Sequence, residues 1–84
     1  MTREEFERTY DLDRIDDAVL ALLQLTLHDI NRAWKGHDWG ALGRLHDKGP
    51  IGDPVGKVKS VWLTEEGMER SAALFEQLFA RPKA

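Results

Sequence analysis

The sequence contains no cysteine, which excludes disulfides, thiolate metal sites and cysteine nucleophiles together. Long apolar runs are also missing: the longest, residues 18–23, is far shorter than the roughly 20 residues that a membrane-spanning helix needs. The acidic start of the chain, with Glu4, Glu5 and Glu7, is unlike the basic start of a secretion signal. We therefore expect a cytoplasmic protein without a membrane partner.

Charge of either sign is not in large excess, because the net charge of the 84 residues is only −3. Its distribution is uneven. Residues 1–30 hold three basic and eight acidic side chains, whereas residues 31–60 hold six and three. The middle third is therefore the part of the chain suited to a polyanion, with ordinary solvated surface as the alternative.

A chain of this length predicts one domain, and its small core favours pairing with a second copy. We assign residues 12–84 to that domain and residues 1–11 to an N-terminal arm. The arm carries Phe6 and Tyr10. It is either a frayed helix or a segment that docks these two rings on the body.

Two helices are predicted in the first half of the chain. The first has Asp13 as its cap and a wide apolar face, and it should run to about Asn31 or Trp34. The second begins after the cap Asp38 and closes at Lys48, just before a glycine. Small residues on the second helix allow a close approach by DNA, by another protein or by the first helix.

A β-hairpin is predicted next, with residues 51–53 and 58–63 as strands and residues 54–57 as the turn. Thr64 then caps a last helix, whose apolar stripe includes Phe75 and Phe79 and which ends before Pro82. This stripe is wide enough for both the core and a dimer partner. The expected fold is therefore α+β, with helices packed on a two-stranded β-hairpin.

The order of these elements, with Leu-Thr-Glu-Glu-Gly at residues 63–67 leading into the last helix, resembles the winged-helix fold of small bacterial regulators. The resemblance implies DNA binding. On that reading Arg44 and Lys48 lie on the element that matches the recognition helix, and Lys57 and Lys59 lie on the element that matches the wing.

Several further segments are similar to a family of small bacterial proteins known only as a domain of unknown function. The segments are AVLALL (18–23), LHD (27–29), RAWKG (32–36), DW (38–39), RLH (44–46) and DPVGK (53–57). This similarity implies a family and no mechanism.

Candidate chemistry is sparse. Each of the histidines His28, His37 and His46 precedes an aspartate, and such pairs can ligate a metal. A spacing of nine residues does not stack them on one helical face, so we expect surface or hydrogen-bonded histidines and no metal. We find no catalytic set and expect neither an enzyme nor a cofactor.

The aromatic content is modest but includes three tryptophans, which can clamp the fold, stack on bases or anchor a partner. Trp34 and Trp39 flank a tight corner and are expected to clamp it, whereas Trp62 is a candidate interface residue together with Phe75 and Phe79.

The sequence thus favours a winged-helix-like, homodimeric nucleic-acid-binding or regulatory adaptor, with duplex DNA as the partner. A protein-interaction module on the same fold is the alternative. Only residues 31–37 separate the first long helix from Asp38, which is too few for the usual supporting helix of a helix-turn-helix.

Overall fold

The computed structural model describes residues 1–83, which form four α-helices and a two-stranded antiparallel sheet. The elements are α1 (Arg3–Thr9), α2 (Leu12–Leu22), β1 (Arg32–Trp34), α3 (Trp39–Lys48), β2 (Ser60–Trp62) and α4 (Glu65–Phe79). This α+β arrangement is compatible with a winged-helix-like order and confirms the predicted fold class. The last residue of the predicted 12–84 domain lies outside the described residues.

The N-terminal arm contains the short helix α1. A reciprocal capping box starts it: the backbone N–H of Glu5 donates to Thr2 Oγ1, and the Thr2 N–H donates to the Glu5 carboxylate. Phe6 and Tyr10 contact each other, with ring centroids 4.8 Å apart, yet both stay over 40% exposed. The two rings therefore pair with each other on the surface instead of docking in the core.

Helix α2 is shorter than predicted at its C-terminal end. Its cap is Asp11, whose carboxylate accepts from the Arg14 N–H, and it ends at Leu22, followed by one 3-10 turn to Thr26. The predicted extension to Asn31 or Trp34 is wrong. Residues 32–34 form β1 because pairing with β2 and burial of Ala33 outweigh the helical spacing of the apolar residues.

The sheet joins strands other than the predicted pair. Strand β2 lies within the predicted 58–63 strand, but β1 is its partner, with Ala33 opposite Val61. The segment 51–53 contributes a single bridge, from Ile51 to Leu63, so the predicted hairpin pairing is wrong. Residues 53–59 form an open loop, which we call the wing loop, and Lys35 Nζ donates to the carbonyls of Pro54 and Gly56 within it.

The core lies between α2, α3, α4 and the inner face of the sheet. Its buried members are aliphatic: Val19, Leu20, Leu23, Ala33, Ala41, Leu42, Leu45, Ile51, Val61 and Leu63. No helix in residues 1–83 has the length and apolarity to cross a membrane.

Helices α3 and α4 begin and end as predicted. Asp38 caps α3 by accepting from the Ala41 N–H, and Gly49 ends it with a left-handed φ of 108°. Thr64 caps α4 by accepting from the Gly67 N–H, while its hydroxyl donates to the Pro50 carbonyl. A Cβ on Gly67 would collide with that same carbonyl oxygen. The glycine of the Leu-Thr-Glu-Glu-Gly motif therefore lets α4 start directly on Pro50.

We predict that Gly67→Ala lowers the free energy of unfolding by roughly 1–3 kcal/mol, because the backbone at Pro50 must move. Gly43→Ala is the matched control: a Cβ there meets nothing within 4 Å, so alanine should raise the free energy of unfolding by up to about 1 kcal/mol. Urea unfolding followed by circular dichroism measures both. Equal stability of the two variants would contradict this account of α4.

Candidate nucleic-acid interface

Two of the predicted nucleic-acid contacts, Arg44 and Lys48, converge on one buried carboxylate. Asp16 of α2 has a side chain only 1% exposed. Arg44 Nη2 lies 2.7 Å from Asp16 Oδ1, and Lys48 Nζ lies 2.9 Å from Asp16 Oδ2. Lys48 Nζ also pairs with Asp13 at 2.6 Å. The structure thus brings these two cations together at the junction of α2 and α3.

The electrostatics of this junction shift the pKa values of Asp16, Arg44 and Lys48 in the direction that favours their charged forms. Burial by itself would raise the pKa of Asp16, but hydrogen bonds and charge from Arg44 and Lys48 outweigh it and lower that pKa. The hydrogen bond to Asp16 raises the pKa of Arg44, and those to Asp13 and Asp16 raise the pKa of Lys48. Two cations face two carboxylates, so little net positive charge remains here for a polyanion.

Apart from Arg44 and Lys48, the solvent-facing side of α3 has few groups that could contact a nucleic acid. Between Trp39 and Lys48, Gly40, His46 and Asp47 are exposed and Gly43 is half-buried, so this side carries two small residues, one histidine and one negative charge. A Cβ on Gly43 would meet nothing within 4 Å, which excludes a close helix crossing at that position. Arg44 and Lys48 therefore stay predictions as nucleic-acid contacts, and their geometry gives them a structural role first.

The outer face of the sheet has a different composition. Arg32 pairs with Trp62 across the strands, and Trp34 pairs with Ser60, so these four side chains share one face. Trp34 is 51% exposed and Trp62 is 46% exposed. Arg32 Nε donates to Ser60 Oγ at 2.8 Å, so the arginine side chain crosses the sheet between the two indoles.

Trp39 extends this face at the start of α3. It is 60% exposed, and with Trp34 and Lys59 it lines a shallow open groove of about 380 Å³. Lys35 Nζ lies 5.6 Å from the centroid of the Trp39 ring, within cation–π range. The two tryptophans flank the corner at residues 35–38 as predicted, but each leaves about half of its surface open to solvent.

The indoles of Trp34 and Trp62 each pack against another residue of the protein. The ring of Trp34 stacks on His28 with centroids 4.4 Å apart. Trp62 lies against buried Gly52, where a Cβ would collide with the indole. Both rings therefore pack against the protein, and each residue leaves about half of its surface exposed. We call the set Arg32, Trp34, Lys35, Trp39, Lys59 and Trp62 the tryptophan face.

Of the remaining predicted contacts, Lys59 belongs to this face and Lys57 lies two residues before it in the chain. Both are exposed in the wing loop, and the Lys59 carbonyl accepts from the Lys35 N–H at 3.0 Å. Among the ion pairs of residues 1–83, none includes Lys57, Lys59 or Arg32. Unlike Arg44 and Lys48, these three cations can meet an anionic ligand without breaking an ion pair.

The predicted interface residues lie in two places. Trp62 belongs to the tryptophan face. Phe75 and Phe79 contact each other near the end of α4, edge to face, with centroids 5.2 Å apart. Phe79 and its neighbour Leu78 are nearly half exposed, so this helix end is a separate apolar surface.

A second groove, of about 410 Å³, lies between α1 and the junction of α2 and α3 and has fewer polar groups free to bind a ligand than the tryptophan face. Its apolar wall includes Phe6 and Ile15, and its polar groups include Arg44 and Asp38. Arg44 is bound to Asp16 and Asp38 caps α3, so these two polar groups are already engaged.

The three histidines do not gather around a common point. His28 Nδ1 pairs with the Thr26 carbonyl and His46 Nδ1 with the Ile51 carbonyl. Within residues 1–83, no three histidine, aspartate or glutamate side chains are close enough to hold a metal ion.

Comparison with known proteins adds the family. A family model described as "Domain of unknown function (DUF6429)" matches residues 11–81. The chain belongs to this family. A DUF6429-like relative, "Uncharacterized protein y4hR" of Sinorhizobium fredii, is 61% identical over 71 residues, which are 84% of this chain and 96% of that protein. No solved structure matches the chain. The resemblance to a bacterial domain of unknown function is thereby confirmed.

Sequence reasoning about this DUF6429 protein placed Arg32 and Lys35 in the basic middle third without naming them as site residues, and it gave Trp34 and Trp39 a structural role. The alternation Arg32-Ala33-Trp34, polar and aromatic residues around one small apolar residue, is a strand signal that could have identified them. The pairing of Asp16 with Arg44, 28 residues away, has no local signal in the sequence.

We predict that Asp16→Asn lowers the free energy of unfolding by about 2 kcal/mol at pH 7, because charge-assisted hydrogen bonds are lost. The pKa of Asp16 is lower in the folded state than in the unfolded state, so its stabilisation is present above about pH 4 and disappears as the pH falls through the folded pKa. Urea unfolding across this pH range should therefore show wild type and variant converging in acid.

Asp47→Asn is the control, since this exposed α3 carboxylate has no ion pair among residues 1–83. We expect this substitution to change the free energy of unfolding by less than about 0.5 kcal/mol, at neutral as well as at acid pH. A difference between wild type and Asp16→Asn that stays constant from neutral to acid pH would contradict the ion-pair account.

Proposed function

We propose that this protein is a nucleic-acid-binding adaptor that contacts its ligand through the tryptophan face and the wing loop. The observation that carries the proposal is the interleaving of three half-exposed indoles with cations that have no carboxylate partner among residues 1–83. Aromatic rings and free cations on one surface are what bases and phosphates require.

This assignment moves the contact from α3 to the sheet. In a helix-turn-helix reading, Arg44 and Lys48 would meet the phosphates. Here they neutralise Asp16 and Asp13, and releasing them would leave a buried carboxylate without a partner. Lys57 and Lys59 can contact phosphates without leaving a buried carboxylate unpaired. The wing loop is therefore better suited than α3 to phosphate contacts.

The role is that of an adaptor and not of an enzyme. The side chains of the tryptophan face are stacking and cationic groups, which position a polyanion. Ser60 Oγ, the hydroxyl on this side of the sheet, accepts from Arg32 Nε and is paired with a cation instead of a general base.

We predict that Lys57→Gln combined with Lys59→Gln weakens binding to mixed-sequence DNA and flattens its salt dependence. Each lost phosphate contact should reduce the slope of log K against log salt by about 0.7 to 0.9. Fluorescence anisotropy of labelled DNA across a salt series measures both quantities.

Arg81→Gln combined with Lys83→Gln is the matched control, because it removes the same charge from exposed positions beyond α4. It should leave the slope nearly unchanged. An equal loss in both double variants would mean that only net charge matters, and an absence of salt-dependent binding by the wild type would remove the proposal.

A second candidate function, a protein-interaction module that pairs through α4, is favoured by one observation. Leu78 and Phe79 leave about half of their surfaces exposed next to Phe75 at the end of the helix. A second copy of the chain would cover this surface and add apolar burial to a domain with a small core.

For that candidate we predict that Phe79→Asp converts a dimer into a monomer without unfolding the chain, since a charge there prevents apolar burial between copies. Light scattering measures the mass. Val55→Asp, at an exposed apolar position of the wing loop, is the control and should leave the mass unchanged. A wild type that is monomeric at all concentrations would exclude the homodimer.

A further inference from the structure

We propose that the nucleic acid on the tryptophan face is single-stranded, an inference that rests on the proposed function and specifies its ligand. Trp34, Trp39 and Trp62 each leave about half of their surface exposed to solvent. In a duplex the bases are stacked on each other, so their faces are not available to a protein ring. Unpaired bases offer both faces, and stacking on aromatic side chains is the usual way in which proteins bind them.

The indoles are supported in a way that suits stacking. Trp34 has His28 behind it at 4.4 Å, and Trp62 has the backbone of Gly52 behind it. The Trp39 ring is approached by Lys35 Nζ. A ring that is already fixed loses little conformational entropy when a base stacks on it, so these rings form a pre-organised platform.

The spacing of the platform favours a strand without continuous base stacking. Trp34 and Trp62 occupy diagonal positions of the antiparallel pair, since Trp34 is opposite Ser60 and Trp62 is opposite Arg32. Such positions are roughly 7 Å apart, whereas successive nucleotides of a duplex strand rise about 3.4 Å. An unpaired strand, whose bases can be spread apart, fits this separation of positions better than a continuously stacked strand.

The charges around the rings fit the backbone of such a strand. Arg32 lies between the two sheet indoles, and Lys59 lies beside the groove of Trp34 and Trp39. Of the carboxylates close in sequence to this surface, Asp38 accepts from the Ala41 N–H and Asp53 from the Val55 N–H, whereas Asp29 and Glu65 are exposed. This charge pattern favours a polyanion over an apolar peptide.

All three tryptophans of the chain lie on this face, so its intrinsic fluorescence reports on the platform alone. The experiment titrates the full chain, at about 50 mM salt, with oligothymidylate of about 20 nucleotides and with a duplex of the same length. We expect the single strand to quench the fluorescence and to bind roughly tenfold or more tighter than the duplex.

Two variants separate stacking from charge. Trp62→Leu should weaken single-strand binding by about fivefold or more, while Trp62→Phe, which keeps an aromatic ring on Gly52, should retain most of it. Trp34→Leu provides the same test at a second position. Circular dichroism melts confirm that each variant is folded.

The outcomes distinguish the two levels of the proposal. Salt-dependent binding in which the duplex equals or exceeds the single strand, or binding that Trp62→Leu and Trp34→Leu do not weaken, would overturn the single-strand inference and leave nucleic-acid binding standing. No binding of either probe would overturn both. Quenching by heparin, a polyanion without bases, as strong as that by oligothymidylate would also overturn the inference.

Discussion

The packing of α3 on α2 depends on one buried carboxylate, that of Asp16. Asp16 is enclosed between α2 and α3, and a charge in that position is tolerated only because Arg44 and Lys48 reach it from α3. The pairing fixes the orientation of α3 on α2, and it also uses the cations that a recognition helix would direct at DNA. The outward side of α3 keeps glycines and Asp47. We therefore propose the outer face of the sheet as the ligand surface.

The path into the sheet is set by a tight turn after the 3-10 segment. Asp29 and Ile30 have φ values of 47° and 72°, and His28 and Arg32 exchange two backbone hydrogen bonds across them. A β-branched residue at positive φ stores strain on the order of 1–3 kcal/mol. The turn reverses the chain so that β1 meets β2, which places Arg32 and Trp34 on the outer face and Ala33 in the core.

Local signals in the sequence identified the elements that local chemistry determines. The caps Asp38 and Thr64 and the stop at Gly49 are made by neighbouring residues, so α3 and α4 were predictable. The end of α2 and the partner of β2 were not, because they depend on hydrogen bonds between segments about 30 residues apart. The candidate site divides in the same way: Lys57, Lys59 and Trp62 were identified individually, but the face that unites them with Trp34 depends on the strand pairing.

The most direct test of the central claim, that the ligand surface is the tryptophan face and not the part of α3 that follows Trp39, is an NMR titration of the 15N-labelled chain with nucleic acid. The account predicts that the three indole N–H signals and the backbone signals of β1, β2 and the wing loop shift together, while those of Gly40, Gly43 and Asp47 stay in place. Shifts concentrated on α3, with the indole signals unchanged, would contradict it.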